Sequence, residues 1–268
     1  MTDIPRYVFL EKEVGETPLE RLEKWREENP QAKDLPLAYA GRLDPLASGL
    51  LLILVGEECK KQTLYHNLDK EYEFEVLFGL FSDSGDVLGL IQKDGEENPD
   101  LNLIKEKIKN LIGTMKVPYP IFSSKTVQGK PLHTWAMEGR LGEITIPDRE
   151  SEIYQLEVIS HKNLTSAEVY KQAQTKINSI LPVTDLRKAL GNDFRRAEVR
   201  ESWLDFLKEN PTNTFLTVKF RCLCSSGTYM RTLADIIAKN LSSRGLAFSI
   251  HRTKVGHFDQ KTNHFSLP

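Results

Sequence analysis

The sixteen residues from Tyr39 to Leu54 (YAGRLDPLASGLLLIL) constrain this chain more than any other stretch. They set one carboxylate, Asp44, in a turn punctuated by Gly41, Pro45 and Gly49, directly before a strongly apolar run. Proline fixes its own φ and disfavours helix at the residue before it, so Asp44 is expected in extended or turn backbone. Leu50 to Val55 is short, apolar and bounded by glycines, which predicts a buried strand. A carboxylate on a stiff turn beside a core strand is suited to act as a nucleophile or base. An isolated Asp-Pro pair, by contrast, is most often a surface bend. The surrounding residues decide between the two.

At 268 residues the chain suits one large domain, or one domain with an insertion, and has ample length for a packed core. A hydrophobic content of 40% and a charged content of 28% are those of a soluble globular protein. No apolar run approaches the roughly 18 residues that span a bilayer. The start, Met-Thr-Asp-Ile-Pro-Arg, lacks the basic-then-apolar pattern of a secretory signal. Cys59, Cys222 and Cys224 are odd in number and have no metal-ligand spacing, so reduced thiols in a cytoplasmic protein are expected. His133, His251 and His257 show no such spacing either, and no metal is expected.

A net charge of −2 conceals an asymmetry. Between Lys219 and Lys261, eight Lys or Arg stand against Asp235 and Asp259, a local charge of +6. Acids gather instead at Asp94–Asp100 and at Asp148–Glu157. A basic C-terminal part on a near-neutral chain fits a localised anionic ligand such as a phosphate backbone.

Thr17 as N-cap, Pro18 in the first helical position and Glu20 closing a capping box predict a helix with Leu19, Leu22 and Trp25 on its apolar face, ended by Asn29-Pro30. Tyr72 to Gly79 reads as a strand, Ser82–Asp86 as a turn, and Leu101–Leu111 as a short helix. Residues 162–213 are helical and charged, with a capping box at Thr165–Glu168 and further helices over Val183–Leu190 and Ala197–Leu207. Lying between strand-like runs at Ile153–Ile159 and Phe215–Leu223, they are expected to form an inserted helical subdomain. Strands and helices mixed in this way predict an α+β fold.

Three further segments carry chemistry. Asp69-Lys70-Glu71-Tyr72 puts a phenol at a strand start. Cys224–Leu233 (CSSGTYMRTL) is a Ser/Gly turn opening a helix, with free N–H groups beside Arg231 that suit an anion. Ser249–Phe258 (SIHRTKVGHF) follows near the C-terminus.

Together these segments resemble the TruB-type tRNA pseudouridine synthases, the tRNA pseudouridine-55 synthase family. Gly41–Gly49 (GRLDPLASG) looks like the catalytic motif, and Asp69–Tyr72 with Ser82–Asp86 and Gly89 like the second signature. Pro120–Lys125 with Gln128–Lys130, Ala136 and Gly139 resembles the substrate-loop region. The stretches Gly227–Thr232 and Arg252–Phe258 resemble the last two motifs. The five lie in family order across nearly the whole chain outside the helical tract.

The resemblance implies a pseudouridine synthase fold, with a mixed, mainly antiparallel central sheet flanked by helices and loops. It implies a single catalytic domain over 1–268, carrying the 162–213 insertion and lacking the C-terminal PUA domain of many relatives. The reaction breaks a uridine N1–C1′ bond, turns the base and rejoins it through C5, with no cofactor. Asp44 is then the nucleophile, acting at ribose C1′ or on the C2′ proton, and an ordinary aspartate is ionised at neutral pH. Arg231 pairs with it, Tyr72 stacks on the base and is a candidate acceptor of the C5 proton, and Ile250 walls the other face. Tyr39, Tyr229, Lys125, Lys130 and Arg252 are the expected substrate contacts, with the loop around Phe122–Lys130 and nearby His133 as an RNA clamp. The implied partner is the T-arm of tRNA, with uridine 55 flipped out, and neither DNA nor a membrane; a monomer is expected.

The chain departs from the family at four points. Tyr39 stands where His is frequent, Lys12-Glu13-Val14-Gly15 lacks the usual proline, and Ser226 replaces a common lysine. The helical tract is unusual for the family, and is expected to add RNA contact or cover the groove. A ribosomal-RNA pseudouridine synthase of related fold also shares the Gly-Arg-Leu-Asp motif. A non-catalytic RNA-binding or RNA-folding module is a further alternative, though Asp44, Tyr72 and Arg231 are all present. A helical interaction adaptor accounts for the tract but for none of the motifs.

Overall fold

A computed structural model describes residues 4–92, 98–182 and 195–268. The expected helix at Val183–Leu190 and the acids Asp94, Glu96 and Glu97 lie outside the described residues. In chain order the first elements are β1 (Tyr7–Lys12), α1 (Pro18–Glu28), β2 (Leu37–Tyr39), β3 (Ala47–Val55) and β4 (Asp69–Phe78). The short β5 (Phe81–Ser82) and β6 (Ile91–Gln92) follow, then α2 (Leu101–Lys107), β7 (Gly113–Pro118), β8 (Thr126–Val127), β9 (Lys130–Pro131) and α3 (Leu132–Met137). The rest comprises β10 (Asp148–Thr165), α4 (Ser166–Ser179), α5 (Arg196–Glu209), β11 (Thr214–Cys224), α6 (Met230–Lys239), β12 (Gly245–Asp259) and β13 (His264–Ser266).

The central sheet runs β1-β3-β12-β4-β11-β10-β7, with β2 paired to β3 and β13 to β12. Among the described strands of this sheet, β12 and β3 pair in parallel and the other pairings are antiparallel, consistent with the α+β reading. Alternation along β4 explains its two faces. Tyr72, Phe74 and Val76 turn into the main core, while Glu71, Glu73 and Glu75 meet Lys254, Lys219 with Arg221, and Lys162 on the other face. β3 is buried on both sides. Leu51, Ile53 and Val55 pack with Leu22 and Trp25 of α1, while Leu52 and Leu54 pack with Tyr65, Leu68 and Val255. This two-sided burial accounts for its unbroken apolar sequence.

Helix α1 has the expected Thr17–Glu20 capping box and Pro18 at its start. Leu19 departs from expectation: it is 53% exposed, because the apolar stripe is satisfied by Leu22 and Trp25 while Leu19 faces a cleft. The tract 162–213 also differs in detail. β10 stays paired to β11 as far as Thr165, which faces Thr214, and helix begins only at Ser166. Val169, Ala173 and Ile177 of α4 join Val199, Trp203 and Phe206 of α5 in the same core cluster as β4, β11 and α6. These helices share the central core and have no separate one of their own.

Candidate active site

The turn before β3 is held by main-chain hydrogen bonds and buried cations. Ala47 N–H donates to Asp44 carbonyl (3.0 Å), and Gly15 N–H to Pro45 carbonyl (2.9 Å). Lys12 is fully buried, and its Nζ donates to the carbonyls of Ala47 (2.6 Å) and Glu13 (2.9 Å). Burial pulls the Lys12 ammonium down to about 8, against the opposing pull of Glu16 and Asp44. Arg252, 1% exposed, donates to the carbonyls of Leu50 (2.7 Å) and Arg42 (3.2 Å) from the far side. Gly49 has φ +107°, and a Cβ there would run into the Arg252 main chain, so this position of the motif requires glycine.

Arg231, in the first turn of α6, reaches the turn from across the chain. Its Nε donates to Asp44 Oδ2 at 2.8 Å; Nη1 donates to Ser84 carbonyl (3.0 Å) and Nη2 to Phe122 carbonyl (3.2 Å). The Arg231 side chain is 4% exposed and that of Asp44 36%, so the cation is the fixed partner and the carboxylate the accessible one. Asp86 lies 3.8 Å from Arg231 Nε and accepts from the Ser84 hydroxyl (2.6 Å) and Leu88 N–H (3.0 Å). Burial raises the Asp86 carboxyl above its ordinary value, against the pull of Arg231 and Ser84. Burial also works against the Arg231 charge, but Asp44 and Asp86 outweigh it and hold the guanidinium above its ordinary value.

Asp44 opens onto a cleft of about 850 Å³. Its walls include Tyr39, Tyr72, Tyr229, Ile250 and Arg252, which the sequence analysis singled out, together with Phe122 and His133. Tyr72 and Ile250 project from β4 and β12, where Ile250 faces Phe74 and Arg252 faces Tyr72 in the ladder. Burial pushes the Tyr72 phenol up to about 12, against the adjacent Arg252 guanidinium. At neutral pH Tyr72 therefore presents an aromatic face and a neutral hydroxyl. Tyr229, the residue before α6, is likewise raised by burial, and its ring meets Tyr119 edge-on at 6.1 Å between centroids.

Two predicted contacts lie elsewhere. Lys130 is not in the cleft wall: its ammonium pairs with Glu138 (2.6 Å) and sits 4.6 Å from the Trp135 ring centroid. Lys125 is also outside the wall, 5.1 Å from the Tyr119 ring centroid. The wall also holds Leu19, His66 and Lys70, which sequence reasoning left without a role there. Lys70 belongs to a recognised motif, and its Nζ donates to Leu68 carbonyl and to the Ser226 hydroxyl (3.1 Å). The Lys70 ammonium thus stands beside Ser226, the position where a lysine is expected from the family resemblance and is absent. Burial lowers the Lys70 ammonium to about 8, with Arg252 adding to the effect. Neither His66 nor Leu19 carries a sequence signal for the cleft.

Residues 33–177 match the family described as "TruB family pseudouridylate synthase (N terminal domain)". The chain belongs to this family. Among curated relatives, tRNA pseudouridine synthase B of Caldicellulosiruptor saccharolyticus is 29% identical, over 86% of this chain and 61% of its own length. The tRNA pseudouridine synthase 4 of Saccharomyces cerevisiae is 28% identical, over 86% of this chain and 64% of its own length. The chain therefore spans somewhat less than two thirds of these two proteins. A solved Cbf5-Nop10-Gar1 complex shares the fold, with a TM-score of 0.53 and 15% identity, over 93% of this chain and 48% of the matched one. The pseudouridine synthase fold expected from the TruB motifs is thus present. No helix among the described residues is long and apolar enough to cross a membrane.

Proposed function

We propose that this chain converts a uridine of RNA to pseudouridine, and that the target is uridine 55 in the tRNA T-loop. One observation carries the reading: a half-exposed Asp44 carboxylate is held 2.8 Å from a buried Arg231, at the edge of a cleft walled by Tyr72 and Ile250. A flat base fits between an aromatic face and an aliphatic one, and the carboxylate beside them meets the ribose. The tRNA named in both curated relatives supports a tRNA substrate over a ribosomal one.

In this reading the flipped nucleotide enters with its base between Tyr72 and Ile250. Arg231 keeps Asp44 aimed at the nucleotide, since a charge-assisted hydrogen bond at 2.8 Å fixes the orientation of the carboxylate. Asp44 acts at the ribose, on C1′ or the C2′ proton, as the N1–C1′ bond breaks. The base turns, C5 bonds to C1′, and the C5 proton leaves as N1 takes one up. The reaction is an isomerisation, so it is balanced without a co-reactant. Tyr72 offers a hydroxyl for the C5 proton, but as a neutral phenol it serves first as a stacking face. Arg252 stands in the cleft wall beside Tyr72, with its Nε and Nη1 committed to the carbonyls of Leu50 and Arg42. Tyr39 and Tyr229 offer aromatic faces to neighbouring nucleotides, and Lys125 a cation near the rim.

The test is incubation with unmodified tRNA and ribosomal RNA transcripts, followed by base-resolved mapping of pseudouridine. Modification confined to position 55 of tRNA is expected. Product in ribosomal RNA alone would replace the proposed target, and RNA binding without any product would replace the activity.

A further inference from the structure

The catalytic pair has a support that comes from the helical tract. Arg195 lies immediately before α5, with φ +52°, and both terminal nitrogens of its guanidinium engage Asp83: Nη1 bonds Oδ2, and Nη2 reaches Oδ1 at 3.3 Å. The same guanidinium carbon sits 4.7 Å from the centroid of the Phe122 ring. Arg231 is fixed by two main-chain carbonyls besides Asp44, those of Ser84 and Phe122. One of these belongs to the residue under the Arg195 guanidinium. The other belongs to the chain neighbour of the carboxylate that Arg195 grips.

Asp83 ties into the same turn, accepting from Leu90 N–H at 2.9 Å while its own N–H donates to Leu90 carbonyl at 3.3 Å. Helix α5 fastens the rest of this segment. Trp203 Nε1 donates to Val87 carbonyl (2.9 Å), and the Ser202 hydroxyl accepts from Ile91 N–H (2.8 Å). Trp203 and Phe206 are buried in the main core, so the helix that Arg195 precedes is firmly seated. A planar guanidinium meets a carboxylate with two nitrogens while stacking on an aromatic ring, which lysine cannot do.

We propose that Arg195 is a positioning residue for the Asp44–Arg231 pair, bridging Asp83 and Phe122 so that the Ser84 and Phe122 carbonyls hold Arg231 in place. Its kinetic consequence rests on the pseudouridine synthase reading; its structural consequence does not. Arg195→Ala, Arg195→Lys and Asp83→Asn are compared with wild type by single-turnover rate at saturating tRNA, by tRNA affinity, and by amide hydrogen exchange. A misplaced catalytic group costs up to about 100-fold, so Arg195→Ala is expected to lower the rate about 10- to 100-fold with affinity within about 2-fold. Exchange should quicken at 82–86 and 120–124 while the amides of α5 and β4 stay protected. Arg195→Lys should recover only part of the loss, and adding Asp83→Asn to Arg195→Ala should cost little more.

Unchanged rate and exchange would overturn the proposal, as would weaker tRNA binding at an unchanged rate. Faster exchange throughout α5 would reduce Arg195 to a general stabiliser and also overturn it; Asp83→Asn, which leaves α5 untouched, guards against misfolding of the first variant. If wild type makes no pseudouridine, the functional reading fails and the exchange pattern alone decides on Arg195.

Discussion

The Asp44 turn and the segment 122–130 meet the same cleft, yet they are secured in different ways. The turn is gripped from beneath by cations that have left water. Lys12 and Arg252 give their N–H groups to the carbonyls of Arg42, Ala47 and Leu50, and Arg231 closes on the carboxylate itself. In the 122–130 segment Lys125 rests over Tyr119 and Lys130 pairs with Glu138, both near water. Its firm points are main-chain ones: Arg231 on Phe122 carbonyl, and Ser123 and Lys125 carbonyls accepting from His133 and Leu132 N–H. A buried cation on a main-chain carbonyl fixes geometry, because an unsatisfied group there costs far more than it does at the surface. An exposed pair contributes about 0–1 kcal/mol and leaves its lysine free to trade partners.

The contrast is broken most severely at Arg231. Arg231→Met leaves Asp86 buried beside Asp44 without its cation, and losing one partner of a buried pair costs about 3–5 kcal/mol. Turnover should fall about 100-fold or more, as expected when a preorganised charged donor is removed. The stability loss depends on pH. Asp86 already has its carboxyl raised in the folded state, so its charge opposes folding once the pH climbs through that value. Urea titrations should therefore show a large deficit for Arg231→Met at neutral pH that shrinks on acidification; a deficit that grows in acid would contradict the assignment.

Lys12 gives a smaller and oppositely placed effect. With its ammonium lowered to about 8 in the fold, the unfolded chain holds that proton more tightly, so wild-type stability gains from this group as pH rises from about 8 to 10.5. Lys12→Met should flatten that rise by about one proton's worth of slope. An identical slope in both proteins would remove Lys12 from its buried place under the turn. The smallest effect belongs to the surface side. Lys130→Gln should change RNA affinity and turnover by no more than about 2-fold and stability by less than about 1 kcal/mol. A 10-fold loss of affinity would show that Lys130 leaves Glu138 for RNA.

These differences explain what could be read in advance. Asp44, Tyr72, Arg231 and Ile250 were legible because motif residues carry their order with them, and the fold then brings Asp44 to Arg231 across 187 positions. The capping boxes at Thr17 and Thr165 were legible because they are local chemistry. Lys130, expected as a substrate contact, stands outside the cleft wall paired with Glu138, eight residues on, and charge alone does not show that pairing. The three-residue spacing puts Leu19 on the apolar face of its helix and cannot say that the cleft begins at that face. Nothing local marks Arg195, whose Asp83 partner lies 112 residues away, and the N-terminal signature that contains Lys12 does not show that the Ala47 carbonyl, 35 residues on, holds its ammonium.

In the proposed reaction the Asp44 carboxylate, held by buried Arg231, performs the chemistry on an RNA uridine. Single-turnover pseudouridine formation on a T-arm RNA, with wild type and Asp44→Asn both at saturating enzyme, tests it most directly. Asparagine preserves the shape of the turn and removes the charge. Asp44→Asn should react about 1,000-fold or more slowly, with RNA affinity within about 2-fold of wild type. Equal rates for the two proteins would contradict it.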